Sequence, residues 1–297
     1  MSRASRVHPD IAEALFERFE RPVSITGSDP LSGGDINDAV RLQTSEGDFF
    51  AKTNRGDGPW FSVEARQLSA LREACSIIRV PEVVTYRDPE PGETGFLVLE
   101  LVERGRAGTD YEDRLAEGLA ELHAATADTF GFDVDTYCGT TIQPNPRLSS
   151  WVEFYRDCRI LHQAKLMVDK GRVPARESRV YDRLANRLDD LLDASARPTL
   201  IHGDLWSGNH FADGSGRPVL FDPAAYYAHP EAELGMMKLF GGFSASLYDR
   251  YREAGGLARD WAERNPLYVL YHVMNHATLF GGGYADEAAR IARRFAG

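Results

Sequence analysis

The run from Ile201 to Pro223, Ile-His-Gly-Asp-Leu-Trp-Ser-Gly-Asn-His-Phe-Ala-Asp-Gly-Ser-Gly-Arg-Pro-Val-Leu-Phe-Asp-Pro, constrains this chain more than any other stretch. Two short apolar segments, 210–212 and 218–221, flank Asp213-Gly214-Ser215-Gly216, a turn signal that predicts an antiparallel hairpin. A hairpin returns its end beside its start. Asn209, just before it, and Asp222, just after it, therefore become neighbours at one mouth. Asp204 precedes Asn209 by five residues, on a loop that follows the apolar Thr199-Leu200-Ile201.

Asn and Asp side chains offer hard oxygens, which suit Mg²⁺, an ion that keeps several waters and takes further ligands from nucleotide phosphates. In phosphoryl transfer by kinases, an Asp of the pattern D-x-x-x-x-N accepts the proton of the attacking hydroxyl, while the Asn and a later Asp hold metal. Asp204, Asn209 and Asp222 fit that spacing. A decorated turn is the competing reading, with Asp204 and Asn209 bonding local backbone and Asp222 acting as a helix N-cap. A zinc site from His202, His210 and His229 lacks a compact ligand spacing with cysteines.

Support for the first reading comes from upstream. Leu31-Ser32-Gly33-Gly34-Asp35-Ile36-Asn37 is a glycine-containing loop before a strand at 39–44, and Gly33 and Gly34 permit close approach of backbone N–H groups to phosphates. On the next strand, 49–53, Lys52 alternates with Phe49 and Ala51 and so points to the opposite face. A helix follows that carries Glu64 and builds its apolar face from Leu68, Leu71 and Cys75. A strand lysine answered by a helix glutamate is the arrangement that holds the lysine on the α- and β-phosphates in kinases. A surface ion pair is the alternative for Lys52 and Glu64 taken alone. Loop, lysine, glutamate and the Asp/Asn/Asp cluster in this order favour the nucleotide site.

Two more strands are expected at 78–84 and 96–102, giving a sheet of about five. Backbone groups near Glu100 and Val102, at the strand edge, are then placed to meet adenine. From Asp110 onward the pattern is mainly helical: Leu115, Leu119 and Leu122 stripe one helix, and Ser150-x-x-Glu153 opens a second as a capping box. Val180, Leu184, Leu188 and Leu191 stripe a third, Pro266 is expected to begin a fourth, and Gly281-Gly282-Gly283 reads as a stop before an amphipathic tail. The expected class is α+β and bilobal, with an antiparallel sheet and helix over residues 1–101, a hinge at 102–105 and a helical lobe over 106–297.

The net charge of −11 argues against a nucleic-acid partner, which asks for a basic patch. No apolar run approaches a membrane span, and the polar start lacks a signal-peptide stretch, so a soluble cytoplasmic protein is expected. Cys75, Cys138 and Cys158 are too scattered for a disulfide framework. Lysine occurs only at 52, 165, 170 and 238, which makes Lys52 conspicuous.

The residues His202-Gly203-Asp204-Leu205-Trp206-Ser207-Gly208-Asn209 and Phe221-Asp222-Pro223-Ala224 resemble the fructosamine kinase (ketosamine-3-kinase) family. So do Gly139-Thr140-Thr141-Ile142-Gln143-Pro144-Asn145, Trp151 to Tyr155, and Phe240-Gly241-Gly242-Phe243. This family is related to aminoglycoside phosphotransferases and has a protein-kinase-like fold. The resemblance implies use of ATP and Mg²⁺ to phosphorylate the sugar 3-hydroxyl of a small-molecule or protein-linked ketosamine. It implies Asp204 as base, Asn209 and Asp222 as magnesium ligands, and Lys52 with its partner Glu64 on the phosphates. Gly33, Gly34, Asn37, Glu100 and Val102 complete the expected nucleotide site. His202 is expected to orient the catalytic loop or to pack as a structural histidine, Trp206 to offer a sugar platform or to pack in the core, and Glu231 and Glu233 to brace that loop or meet the substrate amine, with a solvated helix start as the alternative for Glu231. Many relatives carry a cysteine where this chain has Asp35. A monomer or homodimer is expected. The alternatives are an aminoglycoside- or choline-type hydroxyl phosphotransferase and a nucleotide-binding pseudokinase.

Overall fold

The computed structural model describes residues 8, 10–31, 37–56, 58–255 and 257–297. Gly33, Gly34 and Asp35 lie outside the described residues. After helix α1 (Ile11–Phe19), strands β1 (Ile25–Leu31), β2 (Asp38–Thr44) and β3 (Gly47–Asn54) form a meander. Helix α2 (Trp60–Ala74) then leads to β4 (Val83–Arg87) and β5 (Gly95–Glu100), and the antiparallel sheet runs in the order β1-β2-β3-β5-β4.

Alternation decides what each face does. Phe49 and Ala51 of β3 pack with Val40, Leu42, Phe96, Val98 and the buried side of α1. Lys52 faces the other way, opposite Leu97, whose face joins Phe61, Leu68 and Leu71 of α2 in the main core. Proline occupies the cap position before α2, and the capping is tertiary: Asp88, from beyond β4, accepts from the Phe61 and Ser62 amides at 2.8 and 2.9 Å.

The strand expected at 78–84 does not form as one element. Pro81, which has no N–H to give a ladder, divides it. Ile78 and Val80 are buried, while Arg79 pairs its backbone in parallel with Val219. Through this single bridge the segment is fastened to the two-stranded hairpin of β9 (His210–Ala212) and β10 (Pro218–Leu220).

The remainder is mainly helical. Helix α3 (Tyr111–Ala124) precedes a small hairpin, β6 (Thr136–Cys138) and β7 (Thr141–Gln143). Ser150 caps α4 (Trp151–Tyr155), accepting from the Glu153 amide at 3.2 Å, and the helix continues through a π-helical turn, Arg156–Leu161, into α5 (His162–Asp169). The apolar stripe from Val180 to Leu191 is two helices, α6 (Ala175–Ala185) and α7 (Leu188–Leu191). Between them, Arg187 departs to bond the Phe295 carbonyl at 2.9 Å.

Strands β8 (Thr199–Ile201) and β11 (Tyr226–Ala228) pair on either side of the β9–β10 hairpin in sequence. Helices α8 (Glu231–Leu239), α9 (Ala245–Glu253), α10 (Trp261–Phe280) and α11 (Gly283–Ala296) complete the chain. Pro266 lies inside α10 and does not begin it: Trp261 stacks on Tyr248 with centroids 5.6 Å apart, and Asp260 is tied to Arg264, which together carry the helix back past the proline. Among the described residues no helix is long and apolar enough to cross a membrane, and the three cysteines are unpaired and buried.

The hairpin turn is built by Asp213. Its carboxylate accepts from the Ser215 amide at 2.9 Å, the Ser215 hydroxyl at 2.6 Å and the Arg217 amide at 3.0 Å, and pairs with Arg79 at 3.1 Å. Burial pushes this carboxyl up, but the Ser215 hydroxyl, the Arg217 and Ser215 amides and Arg79 outweigh it and hold it at about 2. A depressed carboxyl stabilises the fold above its unfolded value of about 3.9 and loses that contribution as pH falls through the folded value. Asp213→Asn is therefore expected to flatten the pH dependence of denaturation between about pH 4 and pH 2. Urea midpoints across that interval are the check, and parallel curves for variant and wild type would refute the assignment.

Candidate active site

Lys52 and the hairpin mouth meet across a cleft of about 670 Å³. The Lys52 ammonium is buried, 2.6 Å from a Glu64 oxygen and 2.9 Å from Asp222 Oδ1. Burial acts to discharge this lysine; the Asp222 and Glu64 carboxylates more than reverse that and keep it an ammonium.

The register of the hairpin explains how Asn209 and Asp222 come together. Beyond the Leu220–His210 pair, the Phe221 amide bonds the Asn209 carbonyl at 3.2 Å, leaving Asp222 next to Asn209. Asn209 directs its NH₂ group to the Asp204 carbonyl at 2.8 Å, an Asp204 carboxylate oxygen at 3.2 Å and the Asp222 carbonyl at 3.4 Å. Among the described residues its Oδ1 has no hydrogen-bond partner, nor has Asp222 Oδ2, so both oxygens are left for a cation. Two hard oxygens on adjacent rungs fit Mg²⁺. Asp222 itself sits at φ 52°, a left-handed conformation that Asp tolerates better than most residues.

Asp204 lines the same cleft. Burial first, then the Asp222 charge, raises its carboxyl well above the ordinary range. Its loop is fixed from behind. The His202 ring accepts from the Asp204 amide through Nδ1 at 3.3 Å and donates from Nε2 to the Phe221 carbonyl at 3.0 Å, which makes it the neutral Nε2–H tautomer. Burial holds this imidazole below its usual value and so favours that state. Gly203 has φ 80°, and a Cβ there would come within 2.2 Å of the Ala224 oxygen, so the loop can lie against the segment after Asp222 only with glycine at this position.

Glu233 requires a correction to the expectation that it meets substrate. It is fully buried on α8, accepts from the His202 and Gly203 amides at 2.5 and 3.1 Å, and is absent from the cleft lining. Bracing the loop, the other half of that expectation, is what its geometry does. Glu231 is not a solvated helix start either: it is buried in a bidentate pair with Arg264 at 2.7 and 2.9 Å. Glu100 and Val102 also lie outside the cleft lining. The Glu100 amide bonds the Glu82 carbonyl at 2.8 Å and its carboxylate is engaged by Arg79, whereas the Val102 amide has no backbone partner among the described residues. Asn37 lines the cleft and accepts from Asn54 at 2.8 Å.

Gln67, Trp60 and Arg159 have no local signal in the sequence, whereas Gln143, Trp206 and Phe240 belong to the segments that carry the family resemblance. Gln67 of α2 and Gln143 of β7 each donate at 3.3 Å to consecutive carbonyls, those of Ala225 and Ala224, fastening the segment after Asp222. Trp60 stacks on Tyr137 with centroids 4.2 Å apart and bridges the two walls of the cleft. Arg159, in the π-helical turn, is a fully buried cation lying 4.0 Å over Tyr226 and 4.7 Å over Phe154, and donating to Asn145 at 2.8 Å. Trp206 lines the cleft at 36% exposure, edge-on to Phe240, and the aromatic contacts run on through His276 to Phe280 and Tyr284. The Trp206 indole lies so close over Gly208 that a Cβ there would be 2.2 Å from the ring.

A charged lysine held by a helix glutamate, facing an aspartate and an asparagine on the opposite wall, defines a phosphotransferase of the protein-kinase-like fold. The fructosamine kinase family model matches residues 7–296. The chain is 36% identical to a probable ketoamine kinase of Synechocystis sp., over 96% of this chain and 95% of that one. It is 39% identical to the chloroplastic protein-ribulosamine 3-kinase of Oryza sativa subsp. indica, over 91% of this chain and 79% of that one. A crystal structure from Thermobifida fusca, assigned as a fructosamine-3-kinase, superposes with a TM-score of 0.84 at 30% identity, over 97% of this chain and all of that one. An aminoglycoside phosphotransferase, APH(4)-Ia, shares the fold with a TM-score of 0.63 at 18% identity, over 97% of this chain and 98% of that one. The chain belongs to the fructosamine kinase family, and it is a kinase.

Proposed function

We propose that this enzyme transfers the γ-phosphoryl group of ATP to the sugar 3-hydroxyl of a ketosamine, with ribulosamines and fructosamines as its substrate class. The observation that carries the reading is Asp204, a half-buried carboxylate lining the same cleft as the Lys52–Glu64–Asp222 cluster and the aromatic side chains of Trp206, Phe240 and Phe280. The relatives named for ketoamine and ribulosamine phosphorylation support the choice of acceptor.

In this reading Asp204 accepts the proton of the attacking hydroxyl, its basicity raised by the same burial that raises its pKa. Lys52 holds phosphate oxygens, and Asn209 Oδ1 with Asp222 holds Mg²⁺, which supplies charge neutralisation when bound. His202 and Glu233 are positioning residues for the loop, the first through the Asp204 amide and the second through the two amides before it. The Val102 amide, without a backbone partner among the described residues, supports an adenine edge at the connection after β5, which is also where the proposed division at 102–105 falls. Gly33, Gly34 and Asn37 are proposed over the phosphates. The partly exposed rim of Trp206, Phe240 and Phe280 leads from Asp204 towards solvent, which supports room for an amine carried on a larger molecule. Unpaired cysteines fit a reducing, cytoplasmic setting.

ADP release measured against ribulosamine, fructosamine, an aminoglycoside and choline tests the reading, with phosphorus NMR locating the ester. Turnover confined to ketosamines is expected, and turnover with none of them refutes it. The pseudokinase alternative predicts no turnover at all. Trp206→Ala is expected to raise the ketosamine KM about two- to tenfold, from ~0.5–1.5 kcal/mol of aromatic contact, with the KM for ATP unchanged. An unaltered ketosamine KM removes Trp206 from the acceptor site.

A further inference from the structure

Asp204 has a second set of neighbours. The Cys138 Sγ, a carboxylate oxygen of Asp204 and an imidazole nitrogen of His272 lie within 4.8 Å of one another. Cys138 ends β6, and His272 comes from the middle of α10, so three separate parts of the chain converge on this point. Cys138 and His272 are each 4% exposed, and His272 Nδ1 has no hydrogen-bond partner among the described residues. Burial, then the neighbouring His276 and Arg159, push His272 down to about 3, so the ring is neutral and offers a lone pair at any working pH.

Thiolate, imidazole and carboxylate together form a donor set for zinc, not for magnesium. The hard oxygens of Asn209 and Asp222 select the opposite way, so the two ions do not compete for one site. The geometry points to an inhibitory transition-metal site in which Cys138, Asp204 and His272 bind Zn²⁺ and withdraw the Asp204 carboxylate from proton transfer.

Binding forms a sulfur–metal bond and releases the Cys138 thiol proton to solvent, with no change of oxidation state. The fourth position is open to water through the cleft that Cys138 and Asp204 both line. Burial, then the Asp204 charge, push the Cys138 thiol up in the metal-free protein, against the smaller opposing effect of Arg159, so the thiolate forms only with the metal. Zn²⁺ bound there would silence the enzyme by occupying Asp204, while Asn209 and Asp222 stay available to magnesium.

The test uses the full chain and the metal alone. Co²⁺ is titrated, without substrate or nucleotide and in a thiol-free reductant, into the wild type, Cys138→Ser, His272→Gln and the double variant Cys75→Ser/Cys158→Ser. A thiolate-to-cobalt absorption is expected in the wild type and the double variant, lost in Cys138→Ser, with binding at least tenfold weaker in His272→Gln. In a second arm, which rests on the proposed kinase activity, buffered free Zn²⁺ inhibits the wild type at a concentration at least tenfold below that needed for Cys138→Ser. A wild-type cobalt spectrum without the thiolate band, or equal zinc sensitivity of wild type and Cys138→Ser, overturns the assignment. Because the double variant retains all three ligands, the site stays testable even if Cys138→Ser is unstable: loss of the band in the double variant also overturns it. The spectroscopic arm needs no acceptor, so its failure is distinct from failure of the ketosamine reading.

Discussion

Asp204→Asn is expected to lower kcat by about 10²–10⁴-fold, the range for loss of a positioned general base, with little change in the KM for ATP. The amide keeps the size of the carboxylate and can still bond Asn209, but it has no basic oxygen to take a proton. The same change is expected to leave the melting temperature equal or higher. Ionised Asp204 is disfavoured by burial and by Asp222, so its removal relieves a cost the fold otherwise bears. This pairing of lost turnover with undiminished stability separates a catalytic carboxylate from a structural one. A variant retaining wild-type kcat would falsify the base assignment, and one that melts far lower would assign Asp204 to holding the loop.

The largest stability effect is expected at Arg264→Leu. Glu231 is buried at 2% side-chain exposure, and the guanidinium bonds both of its oxygens while also reaching Asp260, the residue just before its own helix, at 2.7 Å. Removing one partner of a buried pair leaves an uncompensated charge and costs about 3–5 kcal/mol. For a chain of this size the melting temperature is expected to fall on the order of 5–15 °C. The double variant Glu231→Leu/Arg264→Leu is expected to recover most of the loss, because it removes the stranded charge as well. Thermal denaturation of the single and double variants decides the matter; equal losses in both attribute the effect to packing of the Arg264 side chain.

What is legible in the sequence follows the range of the interactions. The Asp213 turn is a local device, so its residues announce the hairpin, and a period of two places Lys52 opposite Phe49 and Ala51. Glu233 resists such a reading because its partners, the His202 and Gly203 amides, lie some 30 residues away, and nothing near position 233 marks it as buried. The break at Asn186 and Arg187 is hidden for a similar reason. An apolar stripe continues across it, while the contact that turns Arg187 aside is with Phe295. Arg159 is the extreme case, a charged residue whose aromatic and carbonyl partners come from four segments that only the finished fold assembles. The family resemblance reaches the aromatic rim only at Trp206 and Phe240, since His276 and Phe280 come from the last turns of α10 and Tyr284 from the first turn of α11.

The parallel pairing of Arg79 with the hairpin has a consequence for control. Protein kinases switch off by swinging the glutamate helix away from the lysine. Here the chain leaving that helix is laced to the hairpin: the Arg79 amide bonds the Pro218 carbonyl at 2.8 Å, its carbonyl accepts from Leu220 at 3.0 Å, and its guanidinium clasps Asp213. Gln67, midway along the helix, is tied to the Ala225 carbonyl as well. An outward swing would have to break these bonds together, so the helix and the Asn209–Asp222 mouth move as one piece. These bonds oppose an off position of that kind.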